Sequence, residues 1–415
     1  MNVFDRRESE VRSYSRAFPA VFQKAKGSFL YDTEGRKYID FFCGAGALNY
    51  GHNPWEMVKA VQDYLAEDGI IHSLDMSTSA KRRFLERFEA VVLQPRGLDY
   101  KVQFTGPTGA NAVEAALKLA RKVTKRANVI AFTEGYHGVS LGALSVTANS
   151  FYRNEEFVNR LNVSFMPYDG YLDGKVDTMR FLEKVLADES SGIDLPAAII
   201  VETVQAEGGV NIAGIEWLQR LESLCRRFDI LLIVDDVQVG CGRTGSFFSF
   251  ERSGICPDIV LLSKSISGMG LPMSLVLIKP EFDQWKPGEH SGTFRGNNLA
   301  FITATEALRH WENNDLSEAI SRKSEFLATK LECIRQAFPN AGVQIRGLGL
   351  IFGLQSSIDG LAKRASLAAF DKGLIIERCG PGGNVLKFLP PLVIEDDVLE
   401  EGLELVKQSF EAALA

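Results

Sequence analysis

At 415 residues the chain is too long for one simple core and suits two domains, or one large domain with a satellite. Apolar residues make up 46% and charged residues 24%, an ordinary balance for a folded globular protein, and the formal net charge is −7. That acidic balance argues against nucleic acid as a partner, because phosphate-backbone binding needs a basic face.

Residues 1–18 lack the apolar stretch of a secretory signal. The longest apolar runs, such as 230–234, have strand length and fall far short of a membrane span. No membrane partner and a cytoplasmic location are therefore expected. Six cysteines and five histidines are scattered without a CxxC pair, so no metal site is expected, and free thiols fit a reducing compartment.

Taken in chain order, residues 27–42 (GSFLYDTEGRKYIDFF) predict a hairpin with its turn near 33–35. Residues 104–111 (FTGPTGAN) then lead into the helical run AVEAALKLARK. A glycine-containing loop that opens a helix offers free N–H groups and the positive dipole end to an anion. A plain threonine cap is the competing reading. The middle of the chain alternates short β-branched runs with amphipathic helices, as in a mostly parallel sheet covered on both faces. Strands are expected at 129–132, 198–201, 231–235, 259–262 and 275–278, with a helix carrying Ile215, Leu218, Leu221, Leu224, Cys225 and Phe228 between the second and third. The last hundred residues mix helices with short strands around Gly347, Leu374 and Phe388. The expected fold class is α/β. A large domain over 55–311 holds a mostly parallel mixed sheet, and a smaller α+β domain is assembled from 1–54 and 312–415.

Two neighbouring segments carry the chemistry. In 231–245 (LLIVDDVQVGCGRTG) a buried strand runs into Asp235 and Asp236, and glycines follow at once. Ligands of open α/β sheets sit beyond the carboxyl ends of strands, although such aspartates also cap turns. The next strand ends in Ser263-Lys264-Ser265, followed by Gly268-Met269-Gly270, read as a flexible stretch. Lys264 lies 29 positions after Asp235 (264 − 235), one strand over, so both side chains can reach one crevice. An amine beside a carboxylate that keeps a heteroaromatic nitrogen protonated is what pyridoxal phosphate requires. The 104–111 loop supplies a home for the phosphate.

These segments, with GRKYIDFFCGAGALNYGH at 35–52, TGANAVEAALKLAR at 108–121, GYHG at 135–138, VETVQAEGG at 201–209, GTFRGN at 292–297 and LPPLVI at 389–394, resemble the class III aminotransferases of fold type I nearly end to end. The resemblance implies that Lys264 is the cofactor-bonding lysine and Asp235 the partner of the pyridine nitrogen. Val237 would pack under the ring, Tyr136 would stack on its other face, and Gln238 would reach the 3′-oxygen. Thr108, Gly109 and Ala110 would hold the phosphate, and Thr293 would reach it from a neighbouring subunit, which implies a homo-oligomer of at least two chains. His137 is read as ordering its loop.

A narrower likeness runs through RESEVRSYSRAFPAVFQKAKG, MPYDGY and GTFRGNNLAF. It points to the diaminobutyrate–2-oxoglutarate aminotransferases of ectoine biosynthesis. The implied reaction moves the amino group of L-glutamate to L-aspartate 4-semialdehyde. Aminotransferases of the 4-aminobutyrate or ornithine type, and aminomutases or racemases on the same fold, are the alternatives. Two departures from the broader family bear on substrate binding. Lys387 replaces the arginine that anchors a carboxylate before the Pro-Pro pair; Glu207 matches the glutamate that switches that arginine aside, and Glu202 the nearby buried acid. A lysine is a point charge without the arginine's fork, so Lys387 either binds carboxylate differently or pairs permanently with Glu207. Arg295 stands where most members have glycine, and is read either as a substrate carboxylate site or as a partner for an acid at the subunit seam.

Overall fold

The computed structural model describes residues 3–154, 156 and 162–415. Near the start of the chain, β1 (Phe22–Lys26), β2 (Phe29–Asp32) and β3 (Lys37–Asp40) form an antiparallel meander. The β2–β3 hairpin is the one expected from the alternation in 27–42. Asp32 closes its turn by accepting the Glu34 and Arg36 N–H groups on one side-chain oxygen.

Seven strands form the central sheet: β4 (Lys101–Phe104), β5 (Val129–Phe132), β6 (Val163–Met166), β7 (Ala198–Val201), β8 (Leu231–Asp235), β9 (Ile259–Leu262) and β10 (Leu275–Ile278). Their spatial order is β4-β10-β9-β8-β7-β5-β6. Only β10 runs against its neighbours, so the sheet is mixed but mostly parallel, as expected. The inner strands read as unbroken apolar runs because both faces are covered. Ile130, Ile199, Leu232, Val234, Val260 and Leu262 belong to one core, whereas Val129, Ala198, Leu231, Ile233, Ile259 and Leu261 belong to the other. The period of two survives as a choice between cores. The helix Ile215–Arg227 lies between β7 and β8 and buries Trp217, Leu218, Leu221, Leu224 and Cys225.

At the other end, β11 (Gln344–Leu348), β12 (Ile351–Gln355), β13 (Leu374–Ile375), β14 (Glu377–Cys379) and β15 (Val385–Phe388) follow. Four of them form the sheet β11-β12-β15-β14, and β13 instead pairs in parallel with β3, Leu374 opposite Ile39. The two ends of the chain therefore share a sheet. No helix among the described residues is long and apolar enough to cross a membrane.

Candidate active site

The site assembles where β8 and β9 end. The two strands run in parallel with Asp235 opposite Leu261, so Lys264, three residues on, emerges just past the carboxylate. Lys264 adopts φ 54°. That left-handed conformation costs roughly 1–2 kcal/mol for a residue with a Cβ, and such strain is a mark of functional positions. It turns the chain from β9 into the 3-10 turn Lys264–Ser267. Ser265 fixes this turn by donating its hydroxyl to the Gly46 carbonyl at 2.7 Å and accepting the Asn49 N–H at 3.2 Å. Of the glycines that follow, Gly268 is tightly packed. A Cβ on Gly268 would stand 2.7 Å from the Thr303 carbonyl oxygen, so this glycine is a close approach of backbone to backbone.

Asp235 is buried, and each of its oxygens is held. Oδ2 lies 2.7 Å from His137 Nδ1, and Oδ1 accepts the Val237 N–H at 3.2 Å. Burial opposes protonation of His137, but the hydrogen bond and charge of Asp235 outweigh it and raise its pKa. Asp236 faces the other way: its Oδ2 accepts the Ser249 N–H, and burial pushes its carboxyl up to about 7. The pair of aspartates thus splits, with Asp235 on the site side. Glu202, also buried, is pushed up to about 8 by desolvation and accepts the Tyr136 N–H at 2.9 Å.

The sequence predicted an anion site at 104–111, and the geometry suits one. Thr108 caps the sixteen-residue helix Gly109–Thr124, its hydroxyl accepting the Asn111 N–H. The N–H groups of Gly109 and Ala110, in the first turn, have no helix carbonyl to bond. Two close approaches draw other loops to this end. A Cβ on Gly109 would meet Val237 at 2.9 Å, and one on Gly138 would meet the Cβ of Ala110 at 2.7 Å. The helix N-terminus, Val237 and the Tyr136-His137-Gly138 loop thus form one cradle. An aromatic phosphate would find anion donors, a branched aliphatic, a tyrosine and a buried carboxylate there. The donor set fits pyridoxal phosphate.

A second cluster lies beside it. Lys387, fully buried on β15, donates to Glu207 Oε1 at 2.5 Å and to Gln238 Oε1 at 3.2 Å, and stands 3.0 Å from Glu377 Oε1. Gln238 turns its amide to the Ala45 carbonyl and to Glu207. Burial alone would lower the Lys387 pKa; Glu207 and Glu377 reverse this and hold it well above the ordinary value. Burial raises Glu377 to about 7, against the pull of Lys387. Burial also lowers the pKa of Lys264, with Glu207 acting in the opposite sense.

Two expectations need correction. Lys387 is not a cation waiting for substrate: an ammonium has three donors, and Glu207, Gln238 and Glu377 surround it. Of the two readings of Lys387, the structure favours the pairing with Glu207. Arg295 is already engaged within its own chain. It pairs with Asp75 at 2.8 Å and donates to the His290 carbonyl. Thr293, two residues away, is exposed, with its carbonyl 2.9 Å from His72 Nε2.

Sequence reasoning missed Glu377 and undervalued His137. Glu377 pairs in register with Lys387 across the β14–β15 hairpin. The Gly-rich turn 380–383 between two short apolar runs could have signalled that pairing. Nothing in the sequence flags that Tyr14, from the far N-terminus, lies where Glu377, Glu207 and Lys387 all act on its hydroxyl, which burial above all pushes upward.

Comparison with known proteins gives the family. The family model for class-III aminotransferases matches residues 11–410. The chain belongs to this family. A diaminobutyrate–2-oxoglutarate transaminase of Wolinella succinogenes is 58% identical over 99% of this chain and 96% of its own length, and one of Bordetella parapertussis is 57% identical over 100% and 96%. Among solved structures, an ornithine aminotransferase from Toxoplasma gondii, with PLP at partial occupancy in its active site, superposes with a TM-score of 0.83. It is 28% identical and the match covers 99% of this aminotransferase and 93% of that chain.

Proposed function

We propose that this aminotransferase moves the amino group of L-glutamate to L-aspartate 4-semialdehyde, giving 2-oxoglutarate and L-2,4-diaminobutyrate. The observation that carries the reading is likeness over the full chain, at 57–58% identity, to two enzymes named for this activity. The site gives the reading its chemistry.

Bound pyridoxal phosphate supplies an electron sink for the carbon that loses its proton. Lys264, whose amine is shifted towards its neutral form by burial, carries that proton between the two carbons on either side of the transferred nitrogen. A positioned proton carrier of this kind contributes about 10²–10⁴-fold in rate. Asp235, anchored by His137 and the Val237 N–H, keeps a proton on the ring nitrogen. Thr108, Gly109 and Ala110 would hold the phosphate, Val237 and Tyr136 would pack the two ring faces, and Gln238, whose amide here bonds the Ala45 carbonyl and Glu207, would turn to the 3′-oxygen. Thr293 completes the phosphate site of a second copy, so the working unit is a homodimer in which Arg295 lies at the seam. The division into residues 55–311 and a smaller domain from 1–54 and 312–415, a cytoplasmic location and a place in ectoine-type biosynthesis complete the reading.

Supplied with glutamate alone, the loaded enzyme should release about one 2-oxoglutarate per active site and then stop, because no acceptor recharges it. Release is followed by a coupled dehydrogenase, and the cofactor by its absorbance. An aminomutase or racemase would convert substrate without releasing any keto acid, and that result would overturn the reading.

A further inference from the structure

We propose that Arg378 binds the carboxylate lying three carbon–carbon bonds from the reacting carbon, in both halves of the reaction. The inference rests on the substrate pair proposed above. Glutamate reacts at Cα, and its side-chain carboxyl carbon is three bonds away. The semialdehyde reacts at C4, and its only carboxyl carbon is again three bonds away. The distal carboxylate is therefore what the two substrates share, and one cation can serve both. The carboxylate directly on the reacting carbon belongs to glutamate alone.

A cavity of about 940 Å³ opens beside the site, with Tyr136, Tyr152, Glu207, Arg153 and Arg378 among its walls. Lys387 is surrounded by Glu207, Gln238 and Glu377, and Arg295 is paired with Asp75. Of the two arginines in the walls, Arg153 donates to the Ala148 carbonyl and lies over the Phe165 ring, 5.5 Å from its centroid. Arg378 is the one left with capacity. It is half-buried on β14, and the one hydrogen bond its side chain makes among the described residues, from Nη1 to the Gly383 carbonyl, is long at 3.3 Å. Its remaining N–H groups match the fork that a carboxylate accepts. The wall is also shaped around it. A Cβ on Gly383 would stand 2.8 Å from Nη1, so the glycine at φ 68° leaves room for the guanidinium to fold against the 380–383 turn. Glu377, next in the chain, faces Lys387 on the other side of the strand, so the two residues divide the work. One holds the buried lysine, the other faces the open cavity.

The test compares two amino donors on the same variant. L-Glutamate carries the distal carboxylate and L-2-aminobutyrate lacks it. In single turnovers, Arg378→Ala should lower kcat/KM for glutamate about 10- to 100-fold, the range for losing a charge-assisted hydrogen bond. The loss should appear as weaker saturation, 2-aminobutyrate should be unaffected, and semialdehyde use should fall alongside glutamate. Arg378→Lys, with a charge but no fork, should fall between. Because both donors are read on one protein, a folding defect would lower both together. Either that parallel loss or an unchanged glutamate preference would overturn the assignment. A wild-type enzyme inert toward glutamate would instead overturn the reaction on which it rests.

Discussion

Lys264→Ala should abolish covalent attachment of pyridoxal phosphate and cut turnover by at least 10²-fold, since a positioned proton carrier is worth about 10²–10⁴. The fold should survive. The side-chain nitrogen of Lys264 makes no hydrogen bond or ion pair among the described residues, and alanine meets the same backbone strain at φ 54° that lysine does. Borohydride reduction followed by denaturation should leave the cofactor on the wild-type Lys264 peptide and on no peptide of the variant. A reduced, protein-bound cofactor in the variant would assign the bond to another lysine. Lys387 is the nearest rival, although its ammonium is locked among Glu207, Gln238 and Glu377.

Asp235→Asn should keep the cofactor bound and lose turnover on the order of 10²-fold or more, the scale for removing one preorganised charge from a site where charge develops. His137 Nδ1 lies 2.7 Å from Asp235 Oδ2, and its pKa is raised against the effect of burial by that carboxylate. A neutral amide neither holds the ring nitrogen protonated nor raises the pKa of His137. The pH profile therefore supplies a second readout: the wild-type step that reports His137 should move to lower pH in the variant. Near-normal activity would transfer the role to another group. Asp236 is a poor candidate, because it turns to the Ser249 N–H on the far side of the strand.

Much of this site was legible in the sequence because local pattern and global fold agree there. The strands at 129–132, 198–201, 231–235, 259–262 and 275–278 are unbroken apolar runs, and they sit inside the sheet where both faces are buried. The strands that were not expected, β4 (KVQF) and β6 (VSFM), lie at the two edges of that sheet and are largely half-buried. Their mixed polarity follows from that position and hides the pattern. The 29-residue step from Asp235 to Lys264 worked because β8 and β9 are adjacent and parallel, so strand ends count as neighbours.

The substrate side was less legible. Glu377 and Lys387 meet through a hairpin register, and Tyr14 arrives from the other end of the chain. The first depends on the register of a hairpin, and the second on where a distant segment of the chain packs, which short-range spacing does not encode. Lys387 shows the difference between type and environment. The sequence offered a cation in place of an anchoring arginine, but complete burial between two carboxylates makes it a fixed part of the wall. A lone buried ammonium would be strongly disfavoured without such partners. Arg295 was similarly read from its neighbour Thr293, whereas Asp75 and the His290 carbonyl decide where its guanidinium lies.

The central claim concerns which atom receives the nitrogen, and isotope tracing reads it directly. The enzyme is incubated with ¹⁵N-labelled L-glutamate and unlabelled L-aspartate 4-semialdehyde, and the products are resolved by ¹⁵N-edited NMR and mass spectrometry. The expected product is 2,4-diaminobutyrate labelled at the C4 nitrogen alone, with 2-oxoglutarate formed in equal amount. Label at the C2 nitrogen, or label recovered only in glutamate while 4-aminobutyrate or ornithine proves the active partner, would contradict it.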